Sequence, residues 1–180
     1  MKRAVFLDRD GVINKAIVSN GKPLPPKSLS ELEILPKLNE SLTILRDLKF
    51  EIIVVTNQPD VSRGTLSIET VESIHQSLEA DLGLKYFYVC FHDDSDKCEC
   101  RKPKPGLFLK AAIELNIDLK KSFMVGDRWR DIEAGQAAGC NCFFINYGFV
   151  EKTPEMPYQI VSSLFDAVQI ISEEFYGHKA

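Results

Sequence analysis

Asp8 and Asp10 stand two residues apart at the end of a greasy run, in the stretch FLDRDGVIN (residues 6–14). Ala4, Val5, Phe6 and Leu7 read as the start of a buried strand, and in an extended chain residues two apart project to the same side. Two carboxylates delivered together to the tip of a core strand suit a hard cation, an attack on phosphorus, or both. The bland alternative makes Asp8 a helix cap and Asp10 a turn residue.

Three other strand ends carry chemistry of the same kind. The run EIIVVT ends in Thr56-Asn57-Gln58, a hydroxyl and two amides that suit phosphoryl oxygens; the alternative is a plain turn. After the next strand and a loop comes Arg101-Lys102-Pro103-Lys104-Pro105-Gly106, just ahead of a helix. These cations either clamp a phosphate or face solvent. The run FMV ends in Gly126-Asp127, with Asp131 four residues on. Asp127 is either a third carboxylate facing the first pair or the N-cap of the following helix. Polar signals at the same end of four successive strands are hard to explain as independent caps. Acids together with Thr, Lys and Arg point to a magnesium–phosphate site, because Mg²⁺ takes carboxylate and phosphate oxygens. A carboxylate that attacks phosphorus needs cationic neutralisation from Mg²⁺ and Lys, and the leaving alkoxide needs an acid.

Residues 90–100 read CFHDDSDKCEC. Cys90, His92, Cys98 and Cys100 offer three thiolates and an imidazole, a closed tetrahedral set for Zn²⁺, with iron as an alternative occupant. Incidental loop cysteines are the other reading, but four soft ligands in so short a stretch are rare by chance. A fully protein-ligated ion leaves no open position for catalysis, so the expected role is structural. It would staple a loop with almost no apolar residue except Phe91 and deliver Arg101 and Lys102 directly after the last ligand. Cys140 and Cys142 read as small core residues; His75, on an expected helix, and His178, in the tail, carry no signal.

These residues need a frame. Short apolar runs at Arg3–Leu7, Glu51–Thr56, Tyr86–Cys90, Ser122–Val125 and Asn141–Ile145 read as strands. Helical patterns fall at Lys37–Leu48, Ile68–Leu82, Gly106–Leu115 and Arg128–Ala138, with a last helix from about Ser162 to Phe175; Leu38, Leu42, Leu45 and Leu48 make one apolar face. The alternation predicts an α/β fold: a parallel sheet with helices on both faces and ligands beyond the carboxyl ends of the strands. Residues 20–28 and 152–158 read as polar, proline-rich loops rather than linkers, so 1–180 is expected to form a single domain. Of 180 residues 44% are hydrophobic, and the net charge of −4 leaves no footprint for nucleic acid. No apolar run spans a membrane and no signal peptide is apparent, so a cytoplasmic protein is expected.

In this order, FLDRDGVIN, VVTNQ, CRKPKPG and MVGDRWRDIEAG resemble the four motifs of the haloacid dehalogenase (HAD) superfamily of phosphatases, over nearly the whole chain to about residue 146. The resemblance implies a Rossmann-like fold and a role for each residue. Asp8 resembles the nucleophile, and Asp10 the general acid/base that also lends its backbone carbonyl to Mg²⁺. Thr56 resembles the hydroxyl that orients the phosphoryl group, Lys102 the neutralising lysine and Asp127 the acidic Mg²⁺ ligand; Asp131 would support the metal through water. Asp10 stands where ATPase-like members usually carry Thr, which favours hydrolysis. Without a large insertion after the first or second strand, no separate cap domain is expected.

The zinc loop is similar to two branches of that superfamily: D-glycero-D-manno-heptose 1,7-bisphosphate 7-phosphatases, which serve lipopolysaccharide precursor synthesis, and histidinol-phosphatase domains. The compact His92–Cys98 spacing resembles the histidinol group. Ser62-Arg63-Gly64 and Pro105-Gly106 resemble the heptose group, in which the arginine matching Arg101 helps recognise substrate. A bisphosphate carries a second dianion, for which Arg63, Arg101 and Arg128 are the expected partners, with exposed charge as the alternative for Arg63 and Arg128; Asn57 and Gln58 are expected as further substrate contacts. Two departures from the heptose pattern stand out: KAIVSNGKPLPP lacks a Gly-Tyr pair, and Pro59-Asp60 replaces Ser-Gly. The expectation is a monomeric, Mg²⁺-dependent phosphatase for a phosphorylated sugar; a non-catalytic zinc-stapled binding module is the competing reading.

Overall fold

A computed structural model describes residues 1–177; His178 lies outside the described residues. Six strands form one parallel sheet: β1 (Ala4–Leu7), β4 (Glu51–Asn57), β5 (Tyr86–Cys90), β6 (Phe123–Gly126), β7 (Asn141–Ile145) and β8 (Gln159–Val161), in spatial order β5-β4-β1-β6-β7-β8. The chain builds outward from β1 to β5, then returns to add β6 to β8 on the other side of β1. That reversal is the topological switch point at which open parallel sheets hold ligands.

Two apolar layers cover the sheet. Val5, Leu7 and Val54 face α1 (Leu38–Asp47), α2 (Ile68–Leu82) and α5 (Leu164–Gly177). Ala4, Phe6, Ile53 and Val55 face α3 (Gly106–Leu115) and α4 (Trp129–Ala138). Strand alternation sorts these residues, and burial on both faces explains why the strands read as continuous apolar runs. The expected stripe of α1 is buried at Leu38, Leu42 and Leu45, with Leu48 just past its end. Truncating Leu42 or Leu45 to Ala removes packing worth about 2–5 kcal/mol. Ser67 starts α2 by accepting from the Thr70 amide, and Gly83 ends it in the left-handed conformation at φ 64°.

Two expectations need correction. The stretch 20–28 is not all loop: β2 (Ile17–Ser19) and β3 (Lys22–Leu24) pair as an antiparallel hairpin. With only three residues each, and Pro23 in one, they carry too little pattern to be recognised. The loop at 152–158 leads into β8 rather than directly into the last helix, which starts at Leu164. Among the described residues, no helix is long and apolar enough to cross a membrane.

Candidate active site

The carboxyl ends of β1, β4 and β6 converge. Asp8 directly follows β1, Thr56 is the penultimate residue of β4, and Asp127 directly follows β6. Lys102 arrives from the loop ahead of α3, and its ammonium is enclosed: Nζ donates to Asp8 Oδ1 at 2.8 Å and to the Val55 carbonyl at 2.7 Å, and pairs with Asp131 Oδ1 at 2.5 Å. Asn57 holds the loop in place. Its Nδ2 donates to the Lys102 carbonyl and its Oδ1 accepts from the Lys102 amide, both at 3.1 Å.

Asp8, Asp127 and Asp131 each bring one carboxylate oxygen within 4.8 Å of the others, and all three are buried. Asp127 is 1% exposed, and neither of its oxygens has a hydrogen-bond partner. A buried carboxylate without partners is costly, and three against a single ammonium call for a further cation. The electrostatics agree. Burial, then repulsion from Asp131, pushes the Asp8 carboxyl up to about 7 against the pull of Lys102. Burial, then Asp8 and Asp131, holds Asp127 well above the usual carboxylate range. Burial works against the Lys102 charge, but Asp131 and Asp8 outweigh it and raise its pKa. Gly11 makes the approach possible: at φ +92°, a Cβ there would lie 2.0 Å from Asp127 Oδ2.

Asp127 is not an N-cap; Asp131 accepts from the Arg128 amide at 3.0 Å instead, so one residue caps α4 and faces Lys102. Asp131, expected to act through water, belongs to the carboxylate cluster itself. Asp10, whose backbone carbonyl is the expected metal ligand, keeps its carboxylate outside the three-acid cluster. Its Oδ1 accepts from Arg9 and from Asn14 Nδ2 at 2.9 Å, and its Oδ2 from Arg9 and from Gln58 Nε2 at 2.8 Å.

Gln58 requires correction as a substrate contact. It has no solvent exposure, and its Nε2 is shared between Asp10 and Thr56 Oγ1, so it orients those two groups. Asn57 lines the cavity but spends its amide on Lys102. Arg9 and His75 escaped sequence reading. Arg9 is fully buried against Asp10, and burial, followed by the Arg9 charge, pushes His75 down to about 3.

Above this cluster opens a cavity of about 350 Å³ lined by Asp8, Asp10 and Lys102 and by four arginines, Arg63, Arg101, Arg128 and Arg130. The hairpin residues Lys22 and Pro23 also line it, and the Val150 amide ties that hairpin down by donating to the Gly21 carbonyl. Each arginine already has an acid. Arg63 pairs with Asp93 at 2.6 Å, Arg101 with Asp94 at 2.8 Å, Arg130 with Asp94 at 3.2 Å, and Arg128 with Glu151 at 2.5 Å. Arg130 was not anticipated, since nothing in its sequence position marks it as a cavity residue.

Asp93 and Asp94 belong to the cysteine-rich loop. There Cys90, Cys98 and Cys100 place their sulfurs 3.2–3.7 Å apart, and His92 Nδ1 lies 3.3 and 3.6 Å from two of them. Ligands about 2.0–2.3 Å from a tetrahedral metal sit roughly 3.5–3.8 Å apart, so all four expected donors fit one ion. At the loop's exit, a Cβ on Gly106 would lie 2.2 Å from the Glu99 carbonyl oxygen, so only glycine lets α3 start so close. Cys140 and Cys142 are buried core residues as expected, and burial pushes the Cys142 thiol up to about 12.

Comparison with known proteins places this geometry. The haloacid dehalogenase-like hydrolase family matches residues 27–139. A D-glycero-alpha-D-manno-heptose-1,7-bisphosphate 7-phosphatase of Photorhabdus laumondii is 33% identical over 94% of this chain and 96% of its own. A D-glycero-beta-D-manno-heptose-1,7-bisphosphate 7-phosphatase of Vibrio cholerae is 38% identical over 77% of each chain. The crystal structure of D,D-heptose 1,7-bisphosphate phosphatase from B. bronchiseptica, in complex with magnesium and phosphate, superposes with a TM-score of 0.82 at 28% identity, covering 97% of this chain and 99% of that one. The parallel sheet, the converging strand ends and these relatives agree: the chain belongs to the haloacid dehalogenase-like hydrolases, as a phosphatase.

Proposed function

We propose that the chain removes the 7-phosphate of D-glycero-D-manno-heptose 1,7-bisphosphate through an aspartyl-phosphate on Asp8. One observation carries this reading: the buried Asp8–Lys102–Asp127–Asp131 cluster opens into a cavity lined by four arginines. One phosphate needs the cluster; the arginines suit a second dianion on the same small molecule.

Asp8, Asp127 and the backbone carbonyl of Asp10 would hold Mg²⁺, with Asp131 in support; the unpartnered oxygens of Asp127 fit that role. When bound, Mg²⁺ neutralises the anions that must meet. Lys102 keeps Asp8 ionised and offsets charge on the phosphoryl group, and Thr56 donates its hydroxyl proton to a phosphoryl oxygen. An Asp8 oxygen attacks phosphorus, the ester P–O bond breaks, and the leaving oxygen takes a proton from Asp10. Asp10 then takes a proton from water as the water oxygen attacks phosphorus; the bond to Asp8 breaks and inorganic phosphate leaves. Zn²⁺ on Cys90, His92, Cys98 and Cys100 holds the loop that carries Asp93, Asp94 and Arg101. The enzyme works in the cytoplasm, where thiols stay reduced and sugar phosphates are made. It acts as a single domain and as a monomer.

The test is a side-by-side assay of both anomers of the heptose bisphosphate and of histidinol phosphate. The bisphosphate should be preferred in kcat/KM by at least about tenfold, the difference expected from a paired second phosphate. Equal or better turnover of histidinol phosphate would overturn the substrate assignment.

A further inference from the structure

Strand alternation puts Asp8 and Asp10 on one side of the extension of β1 and Arg9 on the other. Arg9 is in phase with Val5 and Leu7, which pack into the α1–α2–α5 layer. An apolar side chain would serve packing there. The position instead carries a guanidinium with no solvent exposure, one of the costliest groups to bury.

That charge meets one carboxylate. Arg9 Nε and Nη2 donate to Asp10 Oδ1 at 3.1 and 3.0 Å, and Nη2 donates to Oδ2 at 2.9 Å. On its other side, Nη1 lies 3.3 Å from His75 Nε2 on α2. The His75 ring in turn stacks on Phe87 of β5, with centroids 4.5 Å apart and planes 17° from parallel. A continuous chain therefore runs from the half-buried Phe87 through the buried His75 and Arg9 fork to the carboxylate that faces the cavity.

We propose that Arg9 is a positioning residue for the acid/base Asp10, and that His75 is the acceptor that fixes the Arg9 fork. This rests on the aspartyl-phosphate reading above. The planar fork gripping both Asp10 oxygens sets the rotation of the carboxylate, which Gln58 and Asn14 complete from the remaining directions. Without the His75 acceptor, Nη1 is left buried and unpaired, and the fork relaxes toward another partner.

The experiment exploits the leaving group. p-Nitrophenolate departs without protonation, so a misaligned Asp10 should spare formation of the aspartyl-phosphate and slow only its hydrolysis. His75→Phe keeps a ring against Phe87 but removes the acceptor; His75→Gln keeps an acceptor. Arg9→Lys, which keeps the charge and loses the fork, is the second variant should His75→Phe not fold. With p-nitrophenyl phosphate and Mg²⁺, His75→Phe and Arg9→Lys should show a stoichiometric burst of p-nitrophenol followed by turnover about tenfold or more slower than wild type, with KM no higher. His75→Gln should recover to within about threefold of wild type. Equal loss in both phases, wild-type turnover in His75→Phe or in Arg9→Lys, or a His75→Gln as slow as His75→Phe would overturn the proposal. A wild-type enzyme that forms no aspartyl-phosphate on rapid quench would instead overturn the reading beneath it.

Discussion

Asp127→Asn should make the metal-free protein more stable while abolishing its activity. Asp127 is buried, both its oxygens lack partners, and Asp8 and Asp131 stand close by with Lys102 as the shared counter-charge. Its carboxyl sits well above the usual range in the folded chain. A carboxyl whose folded pKa is raised favours the fold at low pH, and that contribution is lost as pH climbs through the folded value. At pH 8 the metal-free wild type therefore carries a penalty that Asn removes. Relieving an unpaired buried polar group is worth about 1–3 kcal/mol, or roughly 2–10 °C in melting temperature for a chain of this size. Mg²⁺ works in the opposite direction: at 100 times its dissociation constant it should stabilise wild type by about 2.7 kcal/mol, and the variant far less. Thermal melts at pH 5.5 and pH 8, each with and without Mg²⁺, read out all of these terms. The metal-free variant should melt higher than wild type, more so at pH 8, with little response to Mg²⁺. A variant that melts lower at pH 8 and responds to Mg²⁺ as wild type does would refute the assignment of Asp127 to the cation.

Asp8→Asn should abolish phosphate release while leaving the circular dichroism spectrum unchanged; release at the wild-type rate would remove Asp8 from the nucleophile's role. Gly11→Ala forces a Cβ onto Asp127 at a positive φ, so kcat should fall by about 100-fold or more, measured beside a melt that drops by about 1–3 kcal/mol. Cys98→Ser, or a strong chelator, should expose the loop between β5 and α3 to limited proteolysis and lower activity on the bisphosphate; an unchanged digest would count against the metal staple. Arg101→Ala should raise KM for the bisphosphate by about tenfold, with no change for p-nitrophenyl phosphate, because it loses a partner only for the second phosphate.

Short apolar strands and the polar residues that follow them are legible one at a time, which is why β1, β4, β5, β6 and β7 emerged from the sequence along with Asp8, Thr56, Lys102 and Asp127. The clustering of Cys90, His92, Cys98 and Cys100 was equally legible, because the four are close in sequence as well as in space. What stayed hidden depends on contacts across long separations. Gln58 looked like a substrate amide until Asp10, 48 residues away, proved to be its partner. Arg9 could be distinguished from a surface residue only by its phase with Val5 and Leu7, and His75 only by the packing of α2 on β5. Asp131 could not show its double use, since a helix cap and a partner for Lys102 need the same residue at the same spacing. The hairpin and β8 were too short to stamp a period on the chain.

The cavity's arginines are already spoken for. Asp60, Asp93, Asp94 and Glu151 balance them before any ligand arrives, so the rim presents little bare positive field to draw in stray anions from a distance. An arriving phosphate has to displace a resident carboxylate, and it gains only the difference between the two partnerships. Admission is thus an exchange rather than a capture, and it favours molecules that replace several of these partnerships at once.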